Sequence, residues 1–248
     1  MKKLEDFLFY TGVSILFLCI FLTFLFFTPK KVNETENFIL LENMTLKQMQ
    51  DLSLNIIEEG DIVLIKPKSF ADSYKYDLKR GRGINDKVTS FFWYNLFDKI
   101  IINSMGDTYW HIGVYTNDGI INSLSLDIHE DDINKIIEYD YIKVLNVKTS
   151  GENKKLAIKR AEEHLKNQDI YYSLKNGLII VFLESTNSKR IYEITDNELV
   201  CSSYIASIYR EVDFDDKPFT HITPVDIEFS DNVETKFLIN ETGFFVRI

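Results

Sequence analysis

Cysteine is almost absent from this chain: its 248 residues hold two, Cys19 and Cys201. Cys19 lies inside a hydrophobic N-terminal run, so the pair is not expected to form a disulfide, and no Cys/His spacing suggests a zinc site. Proline (4) and glycine (10) are scarce, which excludes a fibrous or broadly disordered chain. Positive charge is in deficit. Lys and Arg total 28 against 38 Asp and Glu, for a net charge of −10. The basic residues gather on no single helix, which argues against a nucleic-acid partner. A small-x-small cleavage site is also missing after the N-terminal run, where the chain reads Phe-Phe-Thr-Pro-Lys. That absence argues against a removable signal peptide.

What is present begins with that run, Phe7 to Phe27, which is almost wholly apolar. At about 1.5 Å per residue it is long enough to cross a hydrocarbon core of about 30 Å. Residues 1–31 are therefore read as an uncleaved, single-pass membrane anchor. Lys2 and Lys3 before it balance Lys30 and Lys31 after it, so the positive-inside rule assigns no orientation.

Residues 32–58 read as a linker and helix. The polar stretch 32–44 leads into a helix over Thr45–Glu59, ended by Gly60. Asp61–Lys66 reads as a strand stopped by Pro67, and the basic loop 68–85 as a solvated one. The spacing predicts a helix over Asp86–Met105, crowded with Phe91, Phe92, Trp93, Tyr94 and Phe97. Tyr109–Tyr115 and Ile120–Leu126 read as two strands joined by the turn Thr116-Asn117-Asp118-Gly119, which supplies positive φ angles. A short helix over Asp131–Tyr139, a strand over Tyr141–Val147 and a helix over Asn153–Lys166 follow. The apolar segment Leu178–Leu183 has no assignable period. Thr223-Pro224 marks a helix start, and Thr235–Asn240 with Gly243–Arg247 reads as a closing hairpin.

The chemistry centres on Cys201. Asn197 is a candidate N-cap, which sets Cys201 in the first turn of a helix. Cys201, Ile205, Ile208 and Val212 recur at helical spacing and form one inward face. Free N–H groups and the helix dipole at that end favour a thiolate, the reactive form of cysteine. A small buried hydrophobe is the competing role for such a residue.

A thiol nucleophile needs a base, and the base needs an orienting partner. Four histidines compete. His129 falls in an acidic loop, His164 on a helix flank and His221 in a loop near the C-terminus. His111 begins a strand and shares a face with Gly113 and Tyr115. A base belongs on a rigid strand facing the nucleophile, so His111 is the best candidate. It precedes Cys201 by about ninety residues, the reverse of the papain order, and such sites are defined by roles and not by chain order.

These pieces resemble the circularly permuted papain-like hydrolases of the YiiX type, relatives of NlpC-type cell-wall peptidases and of lecithin:retinol acyltransferase. The matching stretches run in the family's order: Gly60-Asp61-Ile62-Val63-Leu64, His111-Ile112-Gly113-Val114-Tyr115 with Asp118-Gly119, Asn167-Gln168-Asp169-Ile170-Tyr171-Tyr172, Glu198-Leu199-Val200-Cys201-Ser202, and Ile222-Thr223-Pro224-Val225-Asp226. The resemblance implies Cys201 as nucleophile and His111 as base. It sets the third residue on the return strand, where the family often carries a carboxylate. This chain offers Asn122, Ser123 and Ser125 there, and Asn122 is the choice because an amide oxygen can accept an imidazole N–H. Ser202-Ser203 stands where the family usually has Ser-Glu. The N–H of Cys201 would meet an oxyanion. Asp61 reads as a structural cap.

The expected fold is α+β: a small antiparallel sheet or partial barrel packed on the nucleophile helix, spanning residues 59–248 behind the anchor. The expected activity is a thiol hydrolase or acyltransferase working through an acyl-enzyme, with no cofactor, because thiol and imidazole suffice. Its partners would be membrane lipid through the anchor, and an acyl-lipid or peptide-amide substrate. A peptidoglycan amidase, or an anchored binding protein that keeps the fold without turnover, are the alternatives.

Overall fold

A computed structural model describes residues 38–68, 111–117, 119–124, 127–185, 195 and 197–247. The expected anchor Phe7–Phe27, the aromatic helix Asp86–Met105 and Ser125 lie outside the described residues. Among the described residues, no helix is long and apolar enough to cross a membrane.

The described residues are mixed α+β and are built on an eight-stranded antiparallel sheet. Its strands are β1 (Phe38–Leu41), β2 (Ile62–Pro67), β3 (His111–Tyr115), β4 (Ile120–Leu124), β5 (Asp127–Asp131), β6 (Asp140–Val147), β9 (Val233–Asn240) and β10 (Gly243–Arg247). The order across the sheet is β1-β10-β9-β6-β2-β3-β4-β5. Two further strands, β7 (Tyr171–Tyr172) and β8 (Glu198–Leu199), form a separate parallel pair. The helices are α1 (Leu46–Ile56), α2 (Ile133–Tyr139), α3 (Gly151–Asn167), α4 (Leu174–Ser185), α5 (Cys201–Ile208) and α6 (Pro224–Glu228).

The central strands are β-branched and apolar on both faces, so each face carries its own core. On one, Ile62, Leu64, Ile112, Val114 and Leu145 pack with Ala157 and Ala161 of α3 and with Cys201, Tyr204, Ile205 and Ile208 of α5. On the other, Val63, Ile65, Ile142 and Val144 pack with Ile133, Ile136 and Ile137 of α2, while Met49, Leu52 and Ile56 of α1 lie against them. The period-two alternation of the strands sorts these residues.

Local signals account for several helix ends. Thr45 caps α1 through a reciprocal capping box with Gln48, and Thr223 does the same for α6 with Asp226, with Pro224 in the first turn. Ser150 caps α3, which ends at Gln168 in the left-handed region (φ 51°).

Three elements differ from the sequence reading. His129, read as part of an acidic loop, lies in edge strand β5, which also takes in Asp131, read as the start of a helix. The polar side chains of β5 suit an edge with one open side. The untyped segment 178–183 belongs to α4, whose apolar residues run around the helix and show no helical period. Phe38–Leu41, within the stretch read as polar linker, is a strand on β10.

A buried carboxylate ties the layers together. Asp61 is fully buried. It accepts the Glu58 N–H (2.9 Å) and pairs with Lys154 of α3 (3.1 Å) and Lys236 of β9 (2.8 Å). Burial alone would lower the Lys236 pKa, but Asp61 and Glu58 hold it above the ordinary lysine value. Gly60, at φ +83°, lies so close to Lys154 and Tyr209 that an added Cβ would stand 3.1 Å from each. Replacing Asp61 with Ala takes the carboxylate from Lys154 and leaves Lys236 only the exposed Glu58 carboxylate. Chemical denaturation should record a loss of about 3–5 kcal/mol, the scale of a broken buried pair. A loss below about 1 kcal/mol, the range of exposed pairs, would refute this role.

Candidate active site

Cys201 opens α5 as its first helical residue. The N-cap is Val200, which makes no side-chain cap bond; the expected cap, Asn197, lies before β8. The short β8 strand, paired with β7, delivers the chain in extended form up to Val200, and this moves the helix start downstream of the polar residue. The helix ends at Ile208, where Arg160 of α3 donates to the Ile208 carbonyl (2.7 Å) and makes a forked pair with Glu211 (2.8 and 2.5 Å).

All eight residues of α5 are buried, and Cys201 is 6% exposed. Its sulfur meets the backbone N–H groups of Ile112, Ser202 and Cys201 itself. The Ile112 contact follows from the sheet. Backbone N–H groups along an antiparallel strand point alternately to its two neighbours. Tyr115 N–H goes to Asp61 on the β2 side, and Thr116 N–H goes to Gly119 on the β4 side. Ile112, with the parity of Thr116, therefore aims its N–H toward β4. Yet the β3–β4 pairing runs only from Tyr115↔Ile120 to Gly113↔Asn122, while β4 stays paired with β5 as far as Leu124. The two strands part at Ile112, and the thiol sits in the notch.

Burial is the dominant influence on that thiol. It pushes the Cys201 pKa up to about 12, against the opposing pull of the three N–H donors. The helix N-terminus was expected to favour thiolate. In this closed arrangement desolvation outweighs it, because a buried anion loses more hydration than three amide dipoles return.

The other expected residues are distributed as follows. His111 is buried (5% exposed) and stands one residue before the N–H that meets the sulfur. Its register position, opposite Ile65, belongs to the sheet face of Val63 and Ile65, whereas Ile112 and Val114 pack with Cys201. Asn122 is paired with Gly113 on one side and His129 on the other. His129 lies 3.2 Å from Asp131. His164, on the flank of α3, contacts Asp169 (2.7 Å) and stacks edge-on against Tyr204 at 6.1 Å.

Sequence reasoning missed the role of the segment before α6. Phe219–His221 is a 3₁₀ turn packed on α5. Ser202 donates to the Ile222 carbonyl (2.7 Å), and Ser203 to the Thr220 carbonyl (2.9 Å). His221, between them, is buried with Nδ1 3.0 Å from the Thr220 hydroxyl. Its pKa is lowered, first by burial and then by the Lys217 charge. The Ser-Ser pair after the cysteine was the available signal, since adjacent hydroxyls on a buried helix need acceptors.

Among the described residues, no group of three or more His, Cys, Asp and Glu side chains is arranged to hold a metal ion. No family model matches the chain, and no curated protein matches it.

A raised thiol pKa has a defined consequence for stability. The folded state disfavours the Cys201 anion, so this contribution is whole below the free thiol value of about 8.5. It is lost as pH rises from there toward about 12. The stability difference between wild type and Cys201→Ala should be flat below about pH 8.5 and then shrink by up to about 1.4 kcal/mol per pH unit. A difference that instead grows as pH rises toward about 8.5 and is flat above it would mean a thiolate is favoured in the fold.

Proposed function

We propose that the chain is a cysteine hydrolase or acyltransferase of the permuted papain-like kind, held at a membrane by Phe7–Phe27. The observation that carries this reading is the Cys201 thiol at the first residue of α5, in the notch where β3 and β4 part, with the N–H beside His111 directed at its sulfur. Sulfur attack on an amide or ester carbonyl forms a C–S bond and breaks the carbonyl π bond. A base takes the thiol proton and then gives it to the departing amine or alcohol. His111 is the residue proposed for that role, although its register sets it on the sheet face opposite the one that packs with Cys201. Water, or a second acceptor, releases the acyl group from sulfur and regenerates the thiol. Burial favours the neutral thiol, so the attack needs a base to take its proton. Asn122, across from Gly113, is the residue proposed to orient the imidazole. The Cys201 N–H is the donor proposed for the oxyanion.

An anchor of this kind would keep the thiol close to lipid, which favours an acyl-lipid substrate over a peptide or peptidoglycan amide. A second reading, an anchored binding protein that keeps the fold without turnover, is favoured by one observation: the burial that pushes the thiol up to about 12.

The two readings separate on a panel of acyl-lipids and peptide amides tested with the full chain in detergent. The enzyme reading expects turnover that Cys201→Ala abolishes. It also expects His111→Ala to lower it by about 10²-fold or more, the usual contribution of a general base. Release of product at the same rate by all three proteins would sink it.

A further inference from the structure

We infer that Ser202 is the positioning residue of the Cys201 thiol, a role that rests on Cys201 being the nucleophile. A helix that begins inside a protein needs something to hold its first turn, and a side-chain N-cap is the usual device. Val200 supplies none. The first turn of α5 is held from the side instead, by hydroxyls donating to carbonyls of the turn that precedes α6. Ser202 is 1% exposed and donates to the Ile222 carbonyl at 2.7 Å. Ser203 is fully buried and donates to the Thr220 carbonyl at 2.9 Å and the Ile222 carbonyl at 3.4 Å.

The two serines are not equivalent toward the sulfur. The backbone N–H of Ser202 is one of the donors at Cys201, and that of Ser203 is not. Ser202 thus joins the sulfur on its main-chain side to the Ile222 carbonyl on its side-chain side. Its hydroxyl keeps the amide aimed and keeps the first turn pressed toward Ile112, whose N–H meets the same sulfur. Ser203 shares the fastening but is one position removed from the thiol. Loss of either hydroxyl removes a buried hydrogen bond at similar cost, so stability alone cannot tell them apart.

The thiol equilibrium can. Thiolate formation is followed by the pH dependence of the Cys201 alkylation rate in the full chain in detergent, at pH values where the protein stays folded, with Cys201→Ser as the blank, and thermal unfolding is measured alongside. Ser202→Ala should lower the thiolate fraction at a given pH by about tenfold, an upward shift of about one pH unit, the scale of one hydrogen bond to a charged group. Ser202→Thr, which keeps the hydroxyl, should restore the wild-type curve. Ser203→Ala should lower the unfolding temperature like Ser202→Ala while leaving the thiol curve in place. Equal shifts in both alanine variants, an unmoved Ser202→Ala curve, or no rescue by threonine in folded protein would overturn the assignment and leave the hydrolase reading standing. If Cys201→Ala and wild type have the same turnover, the nucleophile reading itself fails and the positioning role falls with it.

Discussion

One buried carboxylate governs how the layers of this protein meet. Asp61 sits at the entry of β2 with no solvent contact, and two lysines from elements distant in sequence converge on it. Its backbone takes part as well: Tyr115 N–H donates to the Asp61 carbonyl, and Gly60 N–H donates to the Tyr115 carbonyl. The Tyr209 hydroxyl, just past the end of α5, donates to the Gly60 carbonyl. A carboxylate this deep is tolerated because it is multiply paired, and the same pairing makes its partners dependent on it. Helix α3, strands β3 and β9 and the far end of the cysteine helix are thereby referred to one point.

That constraint bears on the thiol at the other end of α5. The helix is pinned at its C-terminal end by Tyr209 and by the Arg160 contact to the Ile208 carbonyl. At its N-terminal end the serine hydroxyls hold it to residues 220–222. Between those fastenings, Cys201 has little freedom but to sit where β3 and β4 separate. The parting of the two strands matters as much as the helix. A ladder continued past Gly113 would direct the Ile112 N–H at a strand carbonyl. The interrupted ladder leaves that donor for sulfur.

Much of this was legible in residue patterns. The apolar run Ile62–Ile65, the Thr-Pro helix start at 223–224 and the C-terminal hairpin are local signals, and each element formed where its signal stood. Cys201 in the first turn of a helix was legible for the same reason, although its cap was not. Asn197 has the better side chain for that role, but β8 pairing with β7 holds residues 198–199 extended and the helix cannot begin before them. His129 was misread because strand β5 is short and charged, and its pairing with β4 has no local signature. The direction of the Cys201 titration was misread because helix-end dipoles are visible in a sequence, whereas the degree of burial is not.

The sequence by itself determined the secondary-structure alphabet, the residue types available for thiol chemistry and the strand-to-helix order that carries them. Those properties depend on backbone preference and side-chain period, which act over a few residues. Only the tertiary structure decided which face of the sheet each of these residues occupies and how dry the thiol is. It also decided which serine touches which carbonyl and where β3 and β4 separate. Each of those depends on contacts between segments tens of residues apart, such as Lys154 and Lys236 on Asp61 or Ser202 on Ile222. Their geometry is set by packing the whole chain to near-crystalline density, which no local stretch encodes.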